Sequence, residues 1–364
     1  MTTVLKDSHA ARARVVDRTE VMQKVPYQSL LLGMLGIFED DPRTQKTIEI
    51  VRELQNSHII PDIAWDTKKV TLSGEGREAI SISIPHRKAG GSIYPHDIDG
   101  VGEINPNTNI MELKTVQAEL LKRMQTIRNA HELTLENARM HLLTTGEVLS
   151  ESGALRKANG QPYNMYTEWG VTRPEVTIPL TGVSDPRNKI AELQRAMREA
   201  VLNSGSSLRG IVILCGRNFF DTLRTNPFIT DIARQNQTGQ LSKLLTGVLT
   251  DNNAPLNLDA MYESLHLWGA HFVDASAAGY ENNDGEFVPF IKDDEALALP
   301  VGISGMFKTY YAPANHFRSV NKVAEKIYWT DRVNEDDDEI TYTYESNYLN
   351  WCLYPEAVFA VKFS

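Results

Sequence analysis

The run from residue 110 to residue 145 limits this chain most, because it holds neither Gly nor Pro over its whole length. Asn109 is placed to cap its start, with Glu112 three positions on in a capping-box arrangement. Leu113, Val116, Leu120, Met124, Ile127, Ala138 and Leu142 recur at steps that fit one helical face, and Gly146 supplies the stop. Roughly 36 residues rising about 1.5 Å each span ~54 Å, far beyond the usual globular helix. The other parts of the chain must then be laid out along this helix as along a spine.

What precedes the spine lacks the apolar content for a core of its own. Residues 1–45 open polar and then carry a short apolar patch of Leu30, Leu31, Leu32, Met34, Leu35, Ile37 and Phe38. Gly33 and Gly36 interrupt the patch, and Asp40, Asp41 and Pro42 close it. Such an arm is ordered only by packing on something else, either a neighbouring molecule or this chain's own spine. From 46 to 108 the pattern is strand-like. Val70 and Leu72 alternate with polar neighbours, as do Ile80, Ile82 and Ile84, with Gly74 and Gly76 between, and turn residues then dominate 88–109. The expectation is an extended hairpin that makes most of its contacts with other molecules.

After the spine, Ser152-Gly153 and Asn159-Gly160 mark turns flanked by short strand-like runs. Residues 185–300 read as a compact α/β segment. Asp185-Pro186 opens an amphipathic helix carrying Ile190, Leu193, Met197 and Val201, Ile211 to Leu214 form a buried strand, and a further helix begins at Phe219. Asn283-Asp284-Gly285 turns a hairpin. Strands return with Ile340, Tyr342 and Tyr344 and again with AVFAVKF, so the class is α+β.

The residues that could carry chemistry read better as structure. Gly74-Glu75-Gly76-Arg77-Glu78-Ala79 matches a dinucleotide fingerprint in letters, but the strand-like ISISIP follows where a helix would have to begin. Asp97, Asp99 and Glu103 around Gly100, and the stretch from Glu281 to Glu286, lack the spacing of a calcium loop. The run Glu335 to Glu339 reads as an exposed linker between strands. No histidine pair has zinc spacing, no Gly-Xaa-Ser-Xaa-Gly occurs, and the glycosylation sequon Asn236-Gln237-Thr238 carries no meaning in a cytoplasmic chain. Cys215 and Cys352 lie in apolar strand-like runs and read as buried free thiols in a reducing compartment. The expectation is therefore no catalytic residue, no metal site and no cofactor. The start, with basic residues but no apolar core behind them, is not a secretory signal, and no apolar run is long enough to span a membrane. A net charge of −10 argues against a protein that grips nucleic acid.

The order of these features resembles the major capsid proteins of tailed phages, specifically the lambda-type protein E family with its Hong Kong 97-type fold. The segments that carry the resemblance are Tyr166 to Gly170, the helix after Asp185-Pro186, the strand and helix of IVILCGRNFFDTLRTNPFI, the hairpin before FVPFIKDDEALALP, and CLYPEAVFAVKF. The resemblance implies an N-terminal arm (1–45), an extended E-loop (46–108), a peripheral domain (109–184 and 301–364) with the spine helix at 110–145, and an axial domain (185–300). It implies a subunit that self-assembles as pentamers and hexamers into an icosahedral virion shell around packaged DNA, put together in the host cytoplasm. Its further partners would be a portal, a scaffold and decoration proteins. A bacterial encapsulin-type nanocompartment shares the fold and is the alternative reading.

Overall fold

A computed structural model describes residues 15–27, 30–54, 76–99, 102–104, 111–113, 115–150, 152–153, 155–182, 185–202, 208–229, 262–282, 284–334 and 338–364. The spine is a single helix, Val116–Thr145, of 30 residues. Gly146 ends it with φ 81°, and its N–H donates to the Leu142 carbonyl. The start differs from the expectation at residue 110. Met111–Leu113 is a strand paired with Gly102–Ile104, and the cap is Thr115, whose hydroxyl accepts the Ala118 N–H at 3.2 Å. Asn109, the expected cap, lies outside the described residues. Strand pairing has overridden a local capping signal.

A six-stranded sheet runs in the order Ser264–Leu267, Ala270–Asp274, Gly210–Cys215, Glu295–Val301, Phe359–Phe363, Glu175–Ile178. Gly210–Cys215 is buried on both faces, which is why it reads as an unbroken apolar run. Ile211, Ile213 and Cys215 face Ile190, Leu193, Met197, Phe219 and Leu223 of the helices Arg187–Leu202 and Arg217–Thr225. Val212 and Leu214 join the larger core, with Met140, Leu142 and Leu143 of the spine and Phe307, Leu349 and Trp351. This sheet draws strands from both sides of the expected division of the chain. Phe359–Phe363, expected with the spine, pairs with Glu295–Val301 of 185–300, and Glu175–Ile178 pairs in turn with Phe359–Phe363.

A second sheet, in the order Val15–Asp17, Tyr328–Val333, Ile340–Glu345, Lys88–Ile93, lays one face on the N-terminal half of the spine. Ile93, Trp329, Tyr342 and Tyr344 pack there with Met22, Leu120 and Met124. The turn-rich 88–109 stretch thus includes a sheet strand. A side chain at Gly90 would lie 2.5 Å from the Tyr342 carbonyl oxygen, so glycine is what lets the two strands meet.

The apolar patch of the arm packs on the chain's own core. Leu31, Leu32 and Leu35 lie in the helix Leu31–Leu35, and with Phe38 they are buried in the main cluster. Glu39–Pro42 then adds a parallel strand to Phe307–Ala312. The base of the expected hairpin is present. Thr47–Leu54 pairs with Gly76–Ser83, but Ile48, Ile50, Ile82 and Ile84 bed one face of its base on the same core. Val70, Leu72 and Gly74 lie outside the described residues. At 152–160 the turns are present, with Gly153 and Gly160 at φ 67° and 78°. The described residues around them pair only through a Glu147–Asn164 bridge and form no strands.

Candidate assembly surfaces

From Arg128 to Arg139 the buried side of the spine carries a polar seam of Arg128, His131, Glu136 and Arg139 beside the buried Leu135 and Ala138. Each member ties the helix to a different segment. The Glu136 carboxylate accepts the Leu32 N–H at 2.5 Å, and burial pushes its pKa up to about 7. Arg139 donates to the Thr309 hydroxyl at 2.8 Å, Thr309 donates on to Asn350 at 2.9 Å, and the guanidinium lies over the Phe38 ring. His131 is hydrogen-bonded to the Tyr344 hydroxyl. Burial, reinforced by Arg128 and Arg139, holds its pKa down at about 3, so it is neutral. Arg128 stacks on Tyr27 at 4.5 Å and pairs with Glu132 at 3.0 Å. Sequence reading passed over these residues, although the eleven-position step in the marked stripe, from Ile127 to Ala138, was their signal.

The hairpin base is anchored by Arg52, which is buried between Glu78 at 2.9 Å and Glu356 at 3.2 Å and lies over the Trp169 ring at 4.8 Å. Trp169 Nε1 donates to the Cys352 carbonyl at 3.2 Å. Residues buried in this way hold a shape and expose no reactive group.

The residues weighed for chemistry are built into turns and strands. Gly76–Ser83 is a strand, so Arg77, Glu78 and Ala79 do not open a helix. Asp97 accepts the Tyr94 N–H at 3.0 Å and closes a short turn. Asn282 accepts from Asp284 and Glu286 in the turn between Gly279–Glu281 and Phe287–Pro289, the expected hairpin. Asn334 accepts the N–H of Asp338 at 3.1 Å and of Glu339 at 3.3 Å. For Glu103 only the backbone strand is described, and Gly74, Glu75, Gly100, 236–238 and 335–337 lie outside the described residues. Cys215 and Cys352 are free and buried, and burial raises both thiols. Among the described residues no three His, Cys, Asp or Glu side chains converge as a metal-ligand set, and no helix is long and apolar enough to cross a membrane.

Apolar side chains stand exposed at several points, Leu202 and Phe287 among them, and gather at two places beside the second sheet. The loop after Phe307–Ala312 holds Phe317 at 101% exposure, with Val320 at 60% and Val323 at 59%. At the other end, Ile93, Tyr94, Pro95, Ile98, Val116 and Ile340 line a cleft of about 550 Å³, rimmed by Asp99, Asp338 and Glu339.

The chain matches the family described as "Phage major capsid protein E" over residues 15–363. It is 25% identical over 343 residues to the major capsid protein of Pseudomonas phage KPP10, covering 94% of each chain. It is 23% identical to that of Salmonella phage Felix O1, covering 99% of this chain and 98% of that one. Among solved structures, the putative capsid protein of an E. coli CFT073 prophage aligns over 96% of this chain and 100% of that one, with a TM-score of 0.55 at 12% identity. The shared α+β architecture is the Hong Kong 97-type capsid fold. The chain belongs to the phage major capsid protein E family.

Proposed function

We infer that this chain is the major capsid protein of a tailed phage, the repeating subunit of the head shell. The family match over residues 15–363 carries this reading, and the phage relatives, matched over nearly their whole length, favour it over an encapsulin-type compartment. The subunit associates with itself, as pentamers and hexamers of an icosahedral virion shell assembled in the host cytoplasm around a portal. Scaffold and decoration proteins are further partners. Residues 46–108 act as the E-loop, with the peripheral domain around the spine and the axial domain in 185–300 joined to it through the shared sheet. The chain's work is mechanical, with no catalytic step, metal or cofactor. A net charge of −10 keeps the shell from adhering to the DNA it encloses.

The test is expression of the full chain, with particles separated on a gradient and viewed by negative-stain electron microscopy. Closed shells of uniform size are expected. A chain that remains monomeric at high concentration, with and without a scaffold, overturns the reading.

A further inference from the structure

We propose that the exposed loop carrying Phe317 docks into the acidic cleft beside Tyr94 of the next copy of this chain, a head-to-tail contact that joins neighbouring subunits. This rests on the shell reading and specifies one of its contacts. The two surfaces belong to the same sheet but cannot meet within one subunit. Glu345 accepts the Asn315 N–H at 2.7 Å, which fixes the loop at the end of the sheet where Tyr328 pairs with Glu345. The cleft lies at the other end, where Val333 pairs with Ile340 and Ile340 with Ile93. They are also on opposite faces. Phe317 shares a groove with Thr330, Arg332, Thr341 and Thr343, whereas Ile93 and Ile340 belong to the face laid on the spine. A contact between two different patches of identical molecules propagates from copy to copy and closes as a ring when the rotation permits.

Chemistry selects the partner. Phe317 is fully exposed, with two half-exposed valines beside it, an arrangement costly in water unless something covers it. Of residues 315–326, Glu325 alone is acidic, against Arg318, Lys322 and Lys326. Lys326 is held by Asp40, and Arg318 turns partly toward Asp17 at 3.9 Å, which leaves Lys322 and much of Arg318 facing solvent. The cleft is the complement in both respects. Its floor is apolar, with Tyr94 42% and Val116 46% exposed, and its rim of Asp99, Asp338 and Glu339 holds no Lys or Arg among the described residues. Tyr94 is braced by His96, stacked at 5.4 Å, and by a 3.3 Å hydrogen bond to Glu339, so a ring-sized gap stands ready. Opposite charge around a shared apolar contact fixes the register of such a joint.

The experiment uses the full chain. Phe317→Ser should leave the circular dichroism spectrum unchanged, because the side chain touches no core, yet yield subunits that no longer close into particles. Arg318→Glu with Lys322→Glu should do the same, as should Asp338→Lys with Glu339→Lys, while the four changes together should restore particles. A chain carrying Val320→Cys and Gln117→Cys, the latter exposed beside Val116, treated with a short bis-maleimide, should give a ladder of covalent multimers, since both native thiols are buried. Either single-cysteine variant should give no ladder. If wild-type particles form, the charge reversals assemble normally and the ladder is absent, the docking is wrong and the shell reading stands. If wild-type chains never form particles, both fall.

Discussion

On the spine helix, burial drives His131 and Glu136 in opposite directions. Glu136 has its pKa raised from 4.5 to about 7, so its share of stability is present below pH 4.5 and is lost as pH rises through about 7. His131 is lowered from 6.5 to about 3, so its share is present above pH 6.5 and is lost as pH falls through about 3. Glu136→Gln keeps an acceptor for the Leu32 N–H and removes the ionisation. Urea unfolding of the unassembled subunit should therefore show little change near pH 4 and a gain on the order of 2–3 kcal/mol at pH 8. An equal loss at both pH values would mean that the carboxylate is the stabilising form. Thr309→Val breaks the relay from Arg139 to Asn350 and leaves two buried polar groups short of a partner. About 1–3 kcal/mol of stability should be lost, read as a lower urea midpoint at unchanged slope. Neither Glu136 nor Arg139 stood out in the sequence, because an Arg or Glu on a helix reads as solvent-facing until the segments that cover it are placed.

Among elements, those whose burial follows from their own periodicity were legible. Arg187–Leu202 buries Ile190, Leu193, Met197 and Val201, the residues its pattern marks, and Gly210–Cys215 is the inner strand its composition marks. Elements defined by distant partners were misread. The strand Lys88–Ile93 looks like a loop because Ala89, Gly90 and Gly91 carry little side chain, and only the partner strand explains the two glycines, through the Tyr342 carbonyl at Gly90 and the Tyr342 ring at Gly91. Gly90→Ala would drive a methyl into the Tyr342 carbonyl and push the edge strand away. A loss of about 1–3 kcal/mol is expected, with hydrogen exchange quickened first in 88–93 and 340–345. Protection unchanged in those two strands would show that the sheet absorbs the methyl elsewhere.

At the scale of the molecule, the order of parts was legible and the way they interlock was not. Hydrophobic content alone cannot tell an arm that lies on a neighbour from one that completes its own core, and for Leu31, Leu32, Leu35 and Phe38 the core is complete only with them. Each such burial is worth about 1.5–3 kcal/mol, and whole domains are stable by only about 5–15 kcal/mol. A chain lacking residues 1–40 should therefore fail to fold, giving aggregates and a circular dichroism spectrum without a cooperative melt. A soluble, cooperatively melting product would return those residues to the role of an arm. The six-stranded sheet carries a further consequence. Its strand Phe359–Phe363 lies between Glu295–Val301 and Glu175–Ile178 and bonds to both. Synthesis supplies that strand after both of its neighbours, so a shorter nascent chain holds four strands of the sheet and one strand, Glu175–Ile178, with no partner in it. Until residues 359–363 are made, the segment 175–178 is a strand in waiting, held in order by its covalent neighbours alone.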